Sequence, residues 1–139
     1  VLCDIGGKKN LAAAREAHER ALEIVEQNFG SENSRVAEHL SNLATVLLQI
    51  GGAENLNIAQ AAQERALKID MLTYGAEHGN VGFDYGLLAR LHNAIGSIEN
   101  VQRAREFSER AVLIHEKVYG ADHPHTRVSI HIRDVEVGG

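Results

Sequence analysis

Glu19-Arg20-Ala21-Leu22, Glu64-Arg65-Ala66-Leu67 and Glu109-Arg110-Ala111-Val112 stand 45 residues apart along a chain of 139 residues. Three further markers keep the interval. They are Phe29-Gly30, Tyr74-Gly75 and Tyr119-Gly120; Asn10-Leu11, Asn55-Leu56 and Asn100-Val101; and Ile5-Gly6, Ile50-Gly51 and Ile95-Gly96. A fixed period of this size marks stacked supersecondary units, each burying its apolar face on its neighbours.

Within one unit the spacing is helical. Val36, Leu40, Leu43, Ala44, Leu47 and Ile50 recur at intervals of three and four, which predicts a first helix capped by Asn33 or Ser34 and ended by Gly51-Gly52. Leu56, Ala59, Ala62, Ala66, Leu67, Ile69 and Leu72 predict a second helix closed by Tyr74-Gly75. The next unit has His78 or Asn80 as cap, a helix from Val81 to Ile95, a stop at Gly96, and a second helix from Asn100 to Tyr119. The last begins at Asp122-His123-Pro124, with Pro in the first turn where its missing N–H costs nothing. The expected fold is all-α, a right-handed α-solenoid of antiparallel helix pairs. It forms a single domain over 1–139, with a partial repeat at 1–30, full repeats at about 31–75 and 76–120, and a final helix at about 121–137. The glycines are expected to mark helix ends.

Val1-Leu2-Cys3-Asp4-Ile5-Gly6-Gly7 aligns with Val46-Leu47-Leu48-Gln49-Ile50-Gly51-Gly52. The chain is therefore expected to open in the last turns of a first-type helix and break at Gly6-Gly7. Val137-Gly138-Gly139 falls in the register of His92-Asn93-Ala94, short of a helix end. Both ends are expected to cut into repeats, so that the array continues or closes with a worn final cap.

Composition narrows the function. Hydrophobic residues make up 44% and charged ones 24%, and aromatics only 4%, so helix interfaces must be built from Ala, Leu, Ile and Val. A net charge of −5 offers no basic footprint for nucleic acid and no polybasic patch for lipid. No apolar run approaches the roughly 20 residues that span a bilayer. Cys3 stands alone, which favours a reducing, cytoplasmic setting.

These residues resemble a tetratricopeptide repeat over essentially the whole chain. The first-helix pattern is met by Leu43-Ala44 with Leu47 and by Leu88-Ala89 with Leu91. The second-helix pattern is met by Ala14 with Ala21-Leu22, Ala59 with Ala66-Leu67, and Ala104 with Ala111-Val112. The run from Glu109-Arg110-Ala111-Val112 to Tyr119-Gly120-Ala121-Asp122-His123-Pro124 is similar to the long repeats of kinesin light chains and nephrocystin-like proteins. The period exceeds the common one of about 34 residues. His18, Gln63 and Ser108 stand where a bulky residue usually precedes Ala-Leu, and Arg133 occupies the register of Leu43 and Leu88. That Arg implies a solvated face on the last helix.

The resemblance implies an interaction scaffold whose first helices line a concave, peptide-binding face. Its register places Glu38, Ser41, Asn42, Thr45 and Gln49 there from one unit, Phe83, Leu87, Arg90 and Asn93 from the next, and Val128, His131 and Val135 from the last. Asn42 matches the Asn that hydrogen-bonds peptide backbone in relatives; Leu87 takes its place one unit on. Ser41 and Thr45 replace the Lys/Arg and Asn of arrays that clamp a terminal carboxylate, which argues against that ligand. Light-chain arrays take short acidic peptides with a large aromatic; here Arg90, Arg127 and His131 supply positive field and Glu38 opposes it. The repeated Glu-Arg is expected to join neighbouring units.

Other chemistry finds little support. His123-x-His125 with Asp122 has a two-ligand spacing, but zinc takes three or four ligands at about 2.0–2.3 Å, and His123 is already explained as part of a helix-starting turn. There is no GxGxxG, no P-loop, and no partner for Cys3 as a nucleophile, so no catalytic residue, metal site or cofactor is assigned. The reading is a non-enzymatic module that binds a protein or peptide partner, with no nucleic acid or membrane. The alternative is a spacer that self-associates into a homo-oligomer through exposed repeat ends.

Overall fold

The computed structural model describes the backbone of residues 2–137 and the side chains of residues 10–137. The reading of the Cys3 thiol therefore lies outside the described residues, as do Val1, Gly138 and Gly139. Six α-helices follow one another: α1 (Leu2–Phe29), α2 (Ser34–Ile50), α3 (Ala53–Tyr74), α4 (Gly79–Ile95), α5 (Ile98–Tyr119) and α6 (Pro124–His131). The last continues as a π-helical segment, Ile132–Val137. Each helix packs chiefly on its chain neighbours, as a solenoid of helix hairpins requires. Among the described residues no helix is long and apolar enough to cross a membrane.

The helix ends follow local chemistry. Asn33 Oδ1 accepts from the Arg35 N–H at 2.9 Å, capping α2. His78 and His123 hold the same register in the next two units, and each offers Nδ1 to a backbone N–H, of Asn80 and His125, at 3.1 Å. Their rings stack on Tyr74 and Tyr119, with centroids 4.4 and 4.6 Å apart. The Tyr before Gly75 and the Tyr before Gly120 thus each steady the cap that opens the next unit. α5 begins earlier than its spacing predicts, because Ser97 Oγ accepts from the Asn100 N–H at 3.2 Å.

One predicted break is absent. α1 runs unbroken through Gly6 and Gly7. Glycine permits helix and turn alike, so a Gly-Gly pair ends a helix only where neighbours fix the reversal. At Gly51-Gly52 both flanking helices are packed in the core, and Asn55 Nδ2 donates to the Gly51 carbonyl at 2.9 Å. α1 packs chiefly on α2 alone.

The core forms where small residues let helices approach. Ala59, Ala66, Ala104 and Ala111 are fully buried: Ala66 clusters with Leu40, Ala59 with Leu47 and Leu91, Ala104 with Ala89, and Ala111 with Val81 and Tyr85. Two predicted core positions turn outward: Leu72 is exposed and Ile50 sits at the edge. Gln63 and Asp70 are buried on α3 instead. At the end of the chain, Arg133 stays partly solvated and pairs with Asp134 at 2.7 Å. The wider π turn carries Ile132 and Val137 into the core against Ala89 and Ala104, a register change that helical spacing does not foresee.

Of the repeated Glu-Arg pairs, the second joins neighbouring units. Arg65 reaches Glu26 at 2.8 Å and the Ser31 carbonyl at 2.9 Å. Arg20 meets only Glu16, one turn away at 4.0 Å. Arg110 lies 5.6 Å from the Tyr85 ring centroid. Arg65→Ala is expected to lower stability by about 0.5–1 kcal/mol in thermal denaturation, because its ion pair is one-third exposed. Arg20→Ala should leave the midpoint unchanged.

Candidate functional site

Helices α2 and α4 both pack on α3, and the seam between them opens into two adjoining clefts. The first, of about 340 Å³, is lined by Ser34, Arg35, Ala37, Glu38, Ser41 and Asn42 of α2, Asp70 and Tyr74 of α3, and Asn80, Phe83 and Asp84 of α4. The second, of about 240 Å³, takes Ser41, Asn42 and Thr45 from α2, Gln63 from α3, and Gly82 to Asp84, Gly86, Leu87 and Arg90 from α4. Its far wall is His115, Val128, Ser129 and Ile132. Ser41, Asn42, Phe83 and Asp84 border both clefts, which therefore form one trough.

The trough has a buried polar floor. Gln63 Nε2 donates to Asp84 Oδ1 at 2.8 Å, and the Ser41 hydroxyl reaches the same oxygen at 3.4 Å. Asp84 is only 4% exposed, and its Oδ2 has no hydrogen-bond donor from the protein. Burial, and then the adjacent Asp70 carboxyl, push the Asp84 pKa from 3.8 up to about 9. At neutral pH the Asp84 carboxyl therefore keeps its proton.

One unit further on, the same two register positions hold His115 and Ser129. The Gly79 carbonyl can only accept, so His115 Nε2 carries the hydrogen and donates to it at 3.1 Å. Nδ1 then accepts from the Ser129 hydroxyl. Burial above all, with His125 and His123 nearby, holds the His115 pKa below 6.5. The imidazole is therefore a neutral structural group.

Close approach of α4 to α5 depends on missing side chains. A Cβ at Gly79 would lie 2.2 Å from the Tyr119 hydroxyl, and one at Gly82 would lie 2.5 Å from His115 Nε2. These glycines, with Gly86, lie inside α4 and do not recur with the repeat. The expectation that glycines mark helix ends is corrected here: at Gly79 and Gly82 the neighbouring ring occupies the space a Cβ needs.

Of the residues placed on the inner face by register, Glu38, Ser41, Asn42, Thr45, Phe83, Leu87, Arg90 and Val128 line the trough. Gln49, Asn93 and His131 line neither cleft. Asn93 Nδ2 donates instead to the Glu136 carbonyl at 2.9 Å, and Val135 is exposed. The positive field expected of Arg90 is cancelled by Glu136, 3.0 Å away. Asp70, Asp84 and Gln63 escaped the sequence reading; the signal for the first two was the polar pair recurring in register as His115 and Ser129. Among the described residues no group of three or more His, Cys, Asp or Glu is placed to hold a metal ion.

A tetratricopeptide repeat family model matches residues 87–125, from the second half of α4 through the Asp122-His123-Pro124 turn. No curated protein matches the chain. The matched stretch is one stage of a helix-pair register that recurs every 45 residues, and over residues 87–125 the chain carries a tetratricopeptide repeat.

Proposed function

We propose that this chain is an interaction scaffold of the long-repeat type, built on units at about 31–75 and 76–120, which receives an extended partner segment in the trough between α2, α4 and α6. Tetratricopeptide repeats are generally protein–protein interaction modules and non-catalytic. The observation that carries the finer reading is the trough itself. It runs across first helices of successive units, and its walls are polar or apolar residues that do not repeat: Asn42 beside Leu87, Thr45 beside Arg90, and Glu38 beside Phe83. Non-repeating residues on a repeating frame are what reading a specific partner needs. Phe83 is 40% exposed and Val128 46% exposed, and both offer apolar area to an incoming side chain.

A screen of displayed random peptides tests this reading. Peptides sharing a motif are expected to be enriched, and the Asn42→Ala/Phe83→Ala double variant should bind them about tenfold or more weakly with unchanged helicity by circular dichroism. A folded chain that enriches nothing, or a double variant that binds as tightly as the parent, would sink the groove assignment.

A further inference from the structure

We propose that the α2–α3–α4 end of the trough is a subsite for a cationic side chain, a lysine or arginine of the partner segment, with Asp84 as its counter-charge. This rests on the groove reading and specifies its ligand. Asp84 borders both clefts, is almost wholly buried, and presents an oxygen that no protein donor meets. A buried acceptor left without a donor is a costly arrangement unless something completes it. Asp70 stands beside it, only 7% exposed.

The surroundings select a cation. Glu38 stands on the rim of the first cleft, and Tyr74 and Phe83 line its walls, a setting in which an ammonium or guanidinium gains from carboxylate and ring faces together. Arg35 is the one cation among the lining residues, and its guanidinium sits 4.4 Å over the Phe29 ring. In the second cleft Arg90 is neutralised by Glu136. An acidic partner residue would meet Glu38, Asp70 and Asp84, with Arg35, drawn over the Phe29 ring, as the one cation lining the first cleft. Two carboxyls are too few ligands for a dedicated metal site, which leaves a side chain as the occupant. On arrival it would take the place of the Asp84 proton, which leaves for solvent.

The test uses peptides recovered from the display screen and fluorescence anisotropy on this chain. Enriched peptides should carry Lys or Arg at one fixed position, and replacing it by norleucine should weaken binding about tenfold to a hundredfold. Asp84→Asn should weaken the parent peptide by a similar factor, yet leave the norleucine peptide's affinity unchanged. A motif with no basic position, or an equal loss for both peptides on Asp84→Asn, overturns the subsite while the groove stands. A thermal shift with calcium or magnesium alone, present in the parent and absent in Asp84→Asn, would make the carboxyl pair a metal site and also overturn it. No enrichment at all defeats the groove and the subsite together.

Discussion

Gly82→Ala is expected to lower stability by about 1–3 kcal/mol, the range for overpacking a tight contact. The new Cβ would lie 2.5 Å from His115 Nε2 and 2.6 Å from its Cδ2. The imidazole cannot step aside, because one nitrogen holds the Gly79 carbonyl and the other holds Ser129. Moving it breaks the join between α4, α5 and α6 at once. The helix-propensity gain of Ala over Gly, about 1 kcal/mol, offsets only part of this. Gly86→Ala is the control. Its Cβ would meet Ile132 Cδ1 at 3.5 Å, an ordinary contact, so only the propensity gain remains and the midpoint should rise. Thermal denaturation of both variants decides the matter. Equal midpoint shifts for Gly82→Ala and Gly86→Ala would show that the ring clearance has no energetic weight.

Asp84→Asn should move stability the other way, by about 1–3 kcal/mol upward near pH 8, the range for an unsatisfied buried polar group. In the folded chain the Asp84 carboxyl keeps its proton up to about pH 9, against an ordinary value of 3.8. Between those values the folded state binds more protons than the unfolded state, so parent stability falls as pH rises through the interval. An Asn has no proton to lose. Its oxygen still accepts from Gln63, and its amide donates to Asp70. The slope on the alkaline side should therefore flatten in the variant.

His115 tilts the acid side in both proteins. Its folded pKa lies below 6.5, so the unfolded chain takes up the proton first, and stability falls as pH drops below that value. Denaturant midpoints measured from pH 5 to 9 separate the two slopes. An alkaline slope that survives Asp84→Asn would assign it to another group. If the variant is both more stable and a poorer binder of basic peptides, Asp84 is retained for recognition at a cost in stability.

The helices and their order were legible because their causes are local. Apolar spacing of three and four sets a buried stripe, and Asn33, Pro124 and the glycines after Ile50, Tyr74, Ile95 and Tyr119 set the ends. The 45-residue register then implied which helices are neighbours, and it brought most of the expected inner-face residues to one trough. Gly6-Gly7 was misread because a glycine pair permits a turn without compelling one.

Contacts between units were decided by the tertiary structure. Asp70 and Asp84 are 14 residues apart on different helices, and no periodicity says that their carboxyls lie side by side. That depends on how closely α3 and α4 cross, which the small buried alanines permit. Nor does spacing distinguish Gly82 from Gly86, although one lies against an imidazole and the other against a methyl group. The sequence by itself determined a stack of paired helices, since hydrophobic period and capping act within a few residues of chain. The tertiary structure alone decided the character of the groove, because the charge on its floor depends on burial and on separations of a few ångströms between side chains from different helices.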